Sequence, residues 1–385
     1  MLKPDTVFGF VVQRADRIQL LGQFLGDARF SPQVSRSIAY ANATLIAQPA
    51  TSTLFAALPS LLTASGASNP RAFAQLTPEP YANATQLALD HALTLTQAAR
   101  SPAFATLREE AGLFTFGQTV GQWHTLRGDA AQGSATARTQ SYGFLGGLGY
   151  GDREWSVGAF AGYLNGRQQI GALGARTQAD GIVAGVHGRY GADAGWGFSA
   201  SLLYDGGEAY TDRALPGAGG ATARYNLHSW VGDLAAYYGL EVGNGWSLRP
   251  RVGITYIRTT RDGFTETGGS AFALTVARDR HVAGFADAGV TFARSEASDA
   301  PFRPFVTLGT RYQIEGQRAD ALAGYAGGGL GLTAVGASRT EIVGTAAGGV
   351  AYRLPSGLDI FATAAAQTGR DDHQETISAG VRLRF

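Results

Sequence analysis

The chain has 385 residues and a formal net charge of +1, so its length allows one large domain with a smaller segment and its charge disfavours a nucleic-acid partner. It contains no cysteine, which excludes disulfide scaffolds and thiolate metal sites and suits passage through an oxidising periplasm. The 54 glycines, with plentiful tyrosine and phenylalanine, are typical of many pleated strands packed closely around a lumen.

The sequence has no apolar stretch that approaches the roughly 18 residues of a membrane-spanning helix, so a helical membrane protein is excluded. A closed β-barrel is then the one remaining way to span a bilayer. The first residues, Met1 to Asp5, lack the basic segment, apolar core and cleavage site of a signal peptide. We therefore expect either a trimmed precursor or an incomplete reading frame.

Up to about Leu107 the sequence is predicted to be helical or irregular. Its Ala-, Leu- and Gln-rich stretches are interrupted by prolines at positions 49, 59, 70, 78 and 80. The segment from Ala82 to Arg100 is free of proline and rich in good helix formers, so we predict a helix there.

From about Leu113 onward, apolar residues alternate with small or polar ones, which predicts β-strands with one face toward lipid and the other toward a lumen. In the first strand, near Phe114 and Phe116, the alternation does not fix which face is which. The pattern predicts twelve strands, over about 113–126, 138–150, 154–166, 178–190, 195–208, 225–241, 245–260, 280–293, 301–315, 340–353, 357–368 and 374–385.

Outward aromatic residues bracket the short turns between these strands, and further outward tyrosines return eight or ten positions along. Eight to ten residues at about 3.3 Å each, tilted by roughly 40°, rise about 20–25 Å, close to the apolar band of an outer-membrane barrel. The predicted girdle at the short turns contains Tyr150, Trp155, Tyr190, Trp196, Tyr238, Trp246, Phe292, Phe302 and Tyr352.

The alternative to a membrane barrel is a soluble β-sandwich or β-helix whose tyrosines merely cap its strands. Loop lengths argue against it, because the turns on the tryptophan side are short while the connections 205–224, 258–281 and 313–341 on the other side are long. Outer-membrane barrels show this asymmetry, with short periplasmic turns and longer surface loops.

A filled lumen is predicted by glycines on its inner wall. Twelve strands leave room for roughly one helix of about 10 Å diameter, and the helix over 82–100 lies just upstream of the first strand. The glycines are Gly143, Gly147, Gly149, Gly185, Gly197, Gly253, Gly309, Gly349 and Gly380.

A basic cluster is predicted near the short-turn end, formed by Arg189, Arg249, Arg303, Arg353 and Arg384. Asp90, Glu109 and Glu110 are its candidate partners, although hydrated arginines at a channel mouth explain the cluster nearly as well.

The sequence resembles the autotransporter family, the type V secretion system, over about residues 110–385. The resemblance rests on the hairpin from Ser141 to Tyr150, the strand from Trp155 to Tyr163 and the ending from Ser378 to Phe385, with a junction-like segment from Ala72 to Tyr81. It implies a passenger end over 1–80, a linker helix in the pore over 81–108 and a β-barrel domain over 109–385.

The resemblance also implies a function and partners. Such a translocator carries its own N-terminal passenger to the cell surface of a Gram-negative bacterium, and it contacts outer-membrane lipids and lipopolysaccharide. The barrel-assembly machinery and periplasmic chaperones would insert it. The assembly signal would be the alternating apolar residues of the last strand, Phe385, Leu383, Val381 and Ile377.

Chemistry-bearing patterns are weak in this sequence. The six histidines lack metal-ligand spacing, and no nucleophile motif is present, so we predict no metal, no cofactor and no enzymatic activity. A loop bearing Arg258, Arg261, Arg278 and Arg280 could bind lipopolysaccharide phosphates, or could simply be solvated. The rival functions are a general porin-like channel and an adhesin that acts through its surface loops.

Overall fold

The computed structural model describes residues 7–13, 18–47, 53–101, 111–191, 194–217, 219–268, 271–295 and 300–385. Among the described residues before 102 there are two short paired strands and four α-helices. These elements are β1 Val7–Gln13, β2 Ile18–Phe24, α1 Pro32–Ala47, α2 Thr53–Ala57, α3 Pro70–Gln75 and α4 Glu79–Ala99. The pair β1–β2 corrects the expectation of a purely helical or irregular start, because seven consecutive residues of each strand pair in antiparallel register.

The rest of the described chain consists mainly of β-strands. They are β3 Gly112–Leu126, β4 Ala137–Gly151, β5 Trp155–Ile170, β6 Ala175–Tyr190, β7 Gly195–Leu215, β8 Gly219–Gly243, β9 Trp246–Arg261, β10 Phe264–Thr265, β11 Leu274–Val276, β12 Asp279–Arg294, β13 Phe302–Glu315, β14 Asp320–Tyr325, β15 Leu332–Val335, β16 Ile342–Arg353, β17 Leu358–Thr368 and β18 Asp372–Arg384. The long strands form a closed barrel in the order β3 to β9, β12, β13, β16, β17 and β18, and β18 pairs with β3 to close it. The predicted barrel of twelve antiparallel strands is confirmed.

The alternation of side chains explains why these strands close into a barrel. On β18, Ile377 and Val381 are exposed on the outer face, while Arg382 is buried on the inner face. On β3 the structure fixes the register that the sequence left open, because Phe114 and Phe116 point inward and Leu113 points outward. An apolar exterior needs a partner such as lipid, and closure leaves no unpaired strand edge.

The two ends of the barrel differ. Short turns join β4 to β5, β6 to β7 and β8 to β9 at one end, which we call the short-turn end. At the opposite mouth, β7 and β8 stay paired up to Leu215 and Gly219, so the connection predicted over 205–224 is an extended hairpin with a tight turn. The reason is that alternation continues beyond the apolar band with polar outward residues such as Glu208 and Asp212.

A folded cap covers the opposite mouth. The short strands pair in the order β10–β11–β14–β15, so the two long connections predicted over 258–281 and 313–341 form one small sheet. Helices α1 and α3 share a hydrophobic core with this sheet and with the tips of β7 and β8, through buried residues such as Leu45, Phe73, Phe272 and Tyr325. None of the helices in the described residues is long and apolar enough to cross a membrane.

Candidate functional site

Helix α4 occupies the barrel lumen and is the centre of the candidate site. It packs against seven consecutive strands, β3 to β9, and against β14 and β15 of the cap. Nearly all of its residues are buried, from Glu79 to Ala99, with Gln97 partly exposed. The helix predicted over 82–100 therefore lies in the pore, beginning three residues earlier than expected, because Pro80 is well tolerated in the first helical turn.

The lumen glycines mainly accommodate aromatic rings of the barrel itself. A Cβ added to Gly149 would lie 2.3 Å from Cζ of Phe114, and one added to Gly147 would lie 2.8 Å from the ring of Phe116. The prediction that these glycines clear space for the helix thus needs correction, because inward rings lie over them. Gly166 is different: a Cβ there would lie 2.4 Å from Nε2 of His91 on α4. It is the close wall contact that the helix does require.

A buried charged network holds the middle of α4. Oδ1 of Asp90 lies 2.8 Å from Nδ1 of His124 on β3, and Arg339, between β15 and β16, also contacts Asp90. Nε2 of His124 lies 2.8 Å from Oδ1 of Asp372 on β18. Both ring nitrogens of His124 face carboxylate oxygens, an arrangement that favours the doubly protonated ring because both nitrogens can then donate. Asp90 therefore does not pair with the predicted basic cluster, and Glu109 and Glu110 lie outside the described residues.

The start of α4 is fixed at the capped mouth. The carboxylate of Glu79 accepts hydrogen bonds from Nε2 of Gln33 at 2.9 Å and from the backbone N–H of Ala135 at 2.5 Å. Burial raises the pKa of Glu79 to about 7 from its ordinary value of 4.5. The buried hydroxyl of Tyr81 contacts the carboxylate of Glu266 in the cap. The first turn of α4 thus joins the lumen to the cap.

The end of α4 is held to the barrel wall by ion pairs of Arg100. Nε of Arg100, the C-cap residue, donates to Oδ2 of Asp233 on β8 at 3.0 Å, and its Nη2 lies 3.0 Å from Oδ1 of Asp287 on β12. Oγ1 of Thr255 donates to Oδ1 of Asp233 at 2.8 Å. A cation at a helix C-terminus is favoured by the helix dipole as well. Asp233 and Asp287 were missed in the sequence, although their inward positions follow from the alternation of β8 and β12.

A cavity of about 440 Å³ remains between the C-terminal half of α4 and the barrel wall, and its lining includes residues of β6 to β9, β12, β13 and β16 to β18. Arginines dominate its charged lining. They are Arg100, Arg189, Arg249, Arg251, Arg294, Arg303, Arg311 and Arg382, with Asp287 as the carboxylate among them. Of the predicted basic cluster, Arg189, Arg249 and Arg303 therefore line this cavity.

The remaining members of the predicted basic cluster converge on one carboxylate. Asp359, on β17, is contacted by Arg382 and Arg384, and it lies 3.4 Å from Nη2 of Arg303 and 3.6 Å from Nε of Arg353. Asp359 was not singled out from the sequence, yet its position between two outward residues of β17 places it on the inner face. The cluster is therefore partly neutralised by its own barrel.

The outer surface carries the predicted aromatic residues at the short-turn end. Tyr150 and Trp155 lie with ring centroids 5.8 Å apart, and Trp246 stacks on Phe292 at 4.7 Å. At the terminal strand, Phe385 is 65% exposed, so it offers its ring to the surroundings while its backbone N–H donates to Leu113 O at 3.0 Å. The other predicted girdle members, Tyr190, Trp196, Tyr238, Phe302 and Tyr352, are likewise exposed. Among the predicted signal residues, Ile377 and Val381 share the outer face with Leu383.

The predicted arginine loop near the capped mouth is divided by the structure. Arg261 is buried and donates through Nη1 to Tyr81 O at 2.6 Å, so it holds α4 and does not face solvent. Arg278 is exposed 3.6 Å from Asp262, and Arg258 and Arg280 are exposed on the barrel exterior. Within the described residues, no group of three or more His, Asp or Glu side chains is placed to hold a metal ion.

Comparison with known proteins gives the family. An autotransporter beta-domain family model matches residues 115–365. The fold is similar to the translocator domain of the autotransporter NalP from Neisseria meningitidis, with 16% identity, a TM-score of 0.64, and 79% of this chain and 98% of that chain covered. It is also similar to the transport unit of AIDA-I from Escherichia coli, with 15% identity, a TM-score of 0.55, and 80% and 99% covered. A third similar structure is the beta domain of the Bordetella autotransporter Brka, with 17% identity and a TM-score of 0.52. The match covers 71% of this chain and 98% of that chain. No curated protein sequence matches this chain. The chain therefore belongs to the autotransporter family, and it is the outer-membrane translocator domain of such a protein.

Proposed function

We propose that this chain exports its own N-terminal passenger with the capped mouth at the cell surface, and that α4 then closes the pore as a plug. The observation that carries the proposal is the path of the chain. Helix α4 begins beside the cap at Glu79 and ends inside the lumen at Arg100, whereas β3 starts at the short-turn end, at Gly112. The residues upstream of α4 are thus on the capped side, and α4 runs from there into the pore.

The proposal includes a division of the chain into a passenger end over 1–80, a linker helix over 81–108 and a barrel over 109–385. Because α1 and α3 pack against the barrel loops, the proposal also holds that at least part of the passenger end stays with the barrel. We also propose a conduit and anchor without an enzymatic step. What supports this is that the buried charges of the lumen pair with α4 or with one another, as in the Arg100 and Asp359 clusters.

We further propose that the terminal strand is recognised by the barrel-assembly machinery and periplasmic chaperones before insertion, and that the outward aromatic residues contact lipid and lipopolysaccharide. Support comes from the alternating apolar face of β18, which ends at the exposed ring of Phe385. Aromatic residues of this kind lie at both interfaces of outer-membrane barrels.

The plug is tested by removing it. Deleting residues 80–105 should raise the single-channel conductance several-fold in planar bilayers, since a helix of about 10 Å diameter no longer fills the lumen. Deleting residues 1–24 serves as the control, because it removes β1 and β2 and leaves α4 in place. Equal conductance of the two deletion variants would contradict a plugged pore. A lumen that already conducts like an open channel in the full chain would instead favour the porin-like alternative.

A further inference from the structure

Three exposed arginines form a patch on the barrel exterior toward the capped mouth. Arg138 on β4 and Arg176 on β6 both face Gln169 of the intervening strand β5, one from each side. Arg167 lies two residues from Gln169 on the same outward face of β5. With strands about 4.8 Å apart and about 3.3 Å per residue, the three Cα atoms lie roughly 8–10 Å from one another, which long side chains can bridge.

Glutamines complete this patch in a checkerboard. Gln140 pairs in register with Arg167 across β4 and β5, and Gln178 pairs with Arg167 across β5 and β6. In the described part of the chain, Arg138, Arg167 and Arg176 form no ion pair with a carboxylate, so their charge is available to a ligand. Asp212, in register with Arg176, limits the patch on the β7 side.

The height of the patch along the barrel points to a lipid headgroup. Arg138 lies four residues from the outward Tyr142 on β4, and Arg167 lies four residues from the outward Tyr163 on β5. Four residues at about 3.3 Å, tilted by roughly 40°, place each arginine about 10 Å beyond the tyrosine of its own strand. Interfacial tyrosines lie at the level of the headgroups, and flexible arginine side chains can bend back toward that level.

The outward residues toward the capped mouth differ from strand to strand, and exposed arginines also lie on β9 and β12, at Arg258 and Arg280. On β18, the outward residues beyond Ile377 are His373 and Glu375, which face each other with Nε2 and Oε1 3.2 Å apart. Guanidinium groups bind phosphate through paired N–H donors, and amide side chains such as those of Gln140 and Gln169 can bind sugar hydroxyls.

We propose that Arg138, Arg167 and Arg176, with Gln140, Gln169 and Gln178, form a binding site for the phosphorylated sugar headgroup of the outer-leaflet glycolipid, lipopolysaccharide. The site rests on the orientation proposed above, with the capped mouth outward. It differs from the loop of Arg258, Arg261, Arg278 and Arg280, which the sequence suggested for the same ligand.

The test uses the full chain, folded in detergent, and measures its affinity for purified lipopolysaccharide. The triple variant R138Q/R167Q/R176Q should bind roughly 100-fold more weakly, at about a fivefold loss for each basic charge near an anionic surface. The lysine triple variant keeps the charge but loses the paired N–H donors, so its affinity should lie between those of the natural chain and the glutamine triple variant. A control triple variant, R224Q/R278Q/R318Q, removes as much charge from exposed positions elsewhere toward the capped mouth and should change the affinity less than about threefold. Heat-modifiable gel mobility shows that each variant is folded.

Ligand controls identify the source of the phosphate. Enzymatically dephosphorylated lipopolysaccharide should bind the unaltered chain as weakly as the glutamine triple variant binds the intact lipid. Equal affinity of the unaltered chain for phosphatidylglycerol vesicles, or complete displacement of the lipid by inorganic phosphate, would overturn the assignment to a glycolipid. So would equal affinity of the glutamine and control triple variants.

Orientation is tested separately, so that the two proposals can fail independently. The natural sequence has no cysteine, and Ala172 is exposed at the tip between β5 and β6. Ala172→Cys should react with a membrane-impermeant maleimide on intact cells. Absence of labelling would refute the outward cap, whereas the detergent measurement tests the arginine site irrespective of orientation.

Discussion

Replacing Arg100 by alanine should release the inner end of α4. The side chain of Asp233 is only 1% exposed. Without Arg100, the hydroxyl of Thr255 is the remaining donor of this network to the Asp233 carboxylate. Removing one partner of a buried pair costs about 3–5 kcal/mol, because it leaves an uncompensated charge. Asp287 keeps Arg251 at 3.3 Å, and the Arg100 side chain is 20% exposed, so the lower end of that range applies. At about 1.4 kcal/mol per factor of ten, about 3 kcal/mol lowers the docked-to-undocked ratio of α4 roughly 100-fold.

Single-channel recording in planar bilayers measures this ratio as the fraction of time spent in the high-conductance state. Arg100→Ala should increase that fraction roughly 100-fold. The matched control is Arg224→Ala, since the Arg224 side chain is 72% exposed and lies 4.0 Å from Glu208, a geometry worth at most about 1 kcal/mol. Adding Asp233→Asn to Arg100→Ala should recover much of the loss, because the stranded charge is gone. Identical open fractions for Arg100→Ala and Arg224→Ala would refute the reasoning.

Three further predictions concern the mouth, the wall and the assembly of the barrel. Because folding raises the pKa of Glu79 to about 7 from 4.5, its contribution to docking is fully present below pH 4.5 and is lost as the pH rises through 7. The free energy of amide protection in the first turn of α4, measured by hydrogen exchange, should therefore fall by about 3 kcal/mol over this pH range. In Glu79→Gln it should stay nearly constant. Protection that does not change with pH in the natural chain would count against this prediction. Gly149→Ala should lower the free energy of unfolding by about 1–3 kcal/mol through overpacking, which heat-modifiable gels would show as a lower unfolding temperature. Gly232→Ala is the control, because nothing lies within 4 Å of its added Cβ, and it should not lower the unfolding temperature. Equal unfolding temperatures of the two variants would contradict the prediction. Deleting Phe385 should sharply lower the outer-membrane level measured by fractionation, unlike Phe302→Ala at the same end of the barrel, and normal assembly of the shortened chain would argue against a terminal signal.

The barrel could be predicted from the sequence because membrane strands need a strict alternation. Lipid excludes polar side chains from every second position, so each strand shows the same alternation. The number of strands can therefore be predicted from the sequence. The first strand resisted the same reasoning, since Phe114 and Phe116 are inward aromatic residues. Their space comes from Gly147 and Gly149 on the neighbouring strand, and that pairing becomes visible only once the register is known.

The contacts of the plug could be predicted only in part. Sequence pattern identified a helix and an arginine-rich lumen, but it assigned Asp90 to the wrong partners. Asp90 meets His124 and Arg339, which are 34 and 249 residues away along the chain. The local periodicity of a sequence contains no information about contacts between residues so far apart along the chain. The cap was missed for the same reason, because its core joins α1 and α3 to loop residues far downstream.

Plug and cap share their contacts, which has a consequence for the order of export. Glu79 and Tyr81 belong to α4, yet their partners Ala135 and Glu266 belong to the connections at the capped mouth. The cap core also includes Phe73 from α3, immediately upstream of α4. Neither α4 nor the cap can therefore reach this arrangement while another part of the chain occupies the lumen. Because each would leave buried polar groups unpaired without the other, we expect docking of α4 and closure of the cap to form one cooperative step after passage of the passenger.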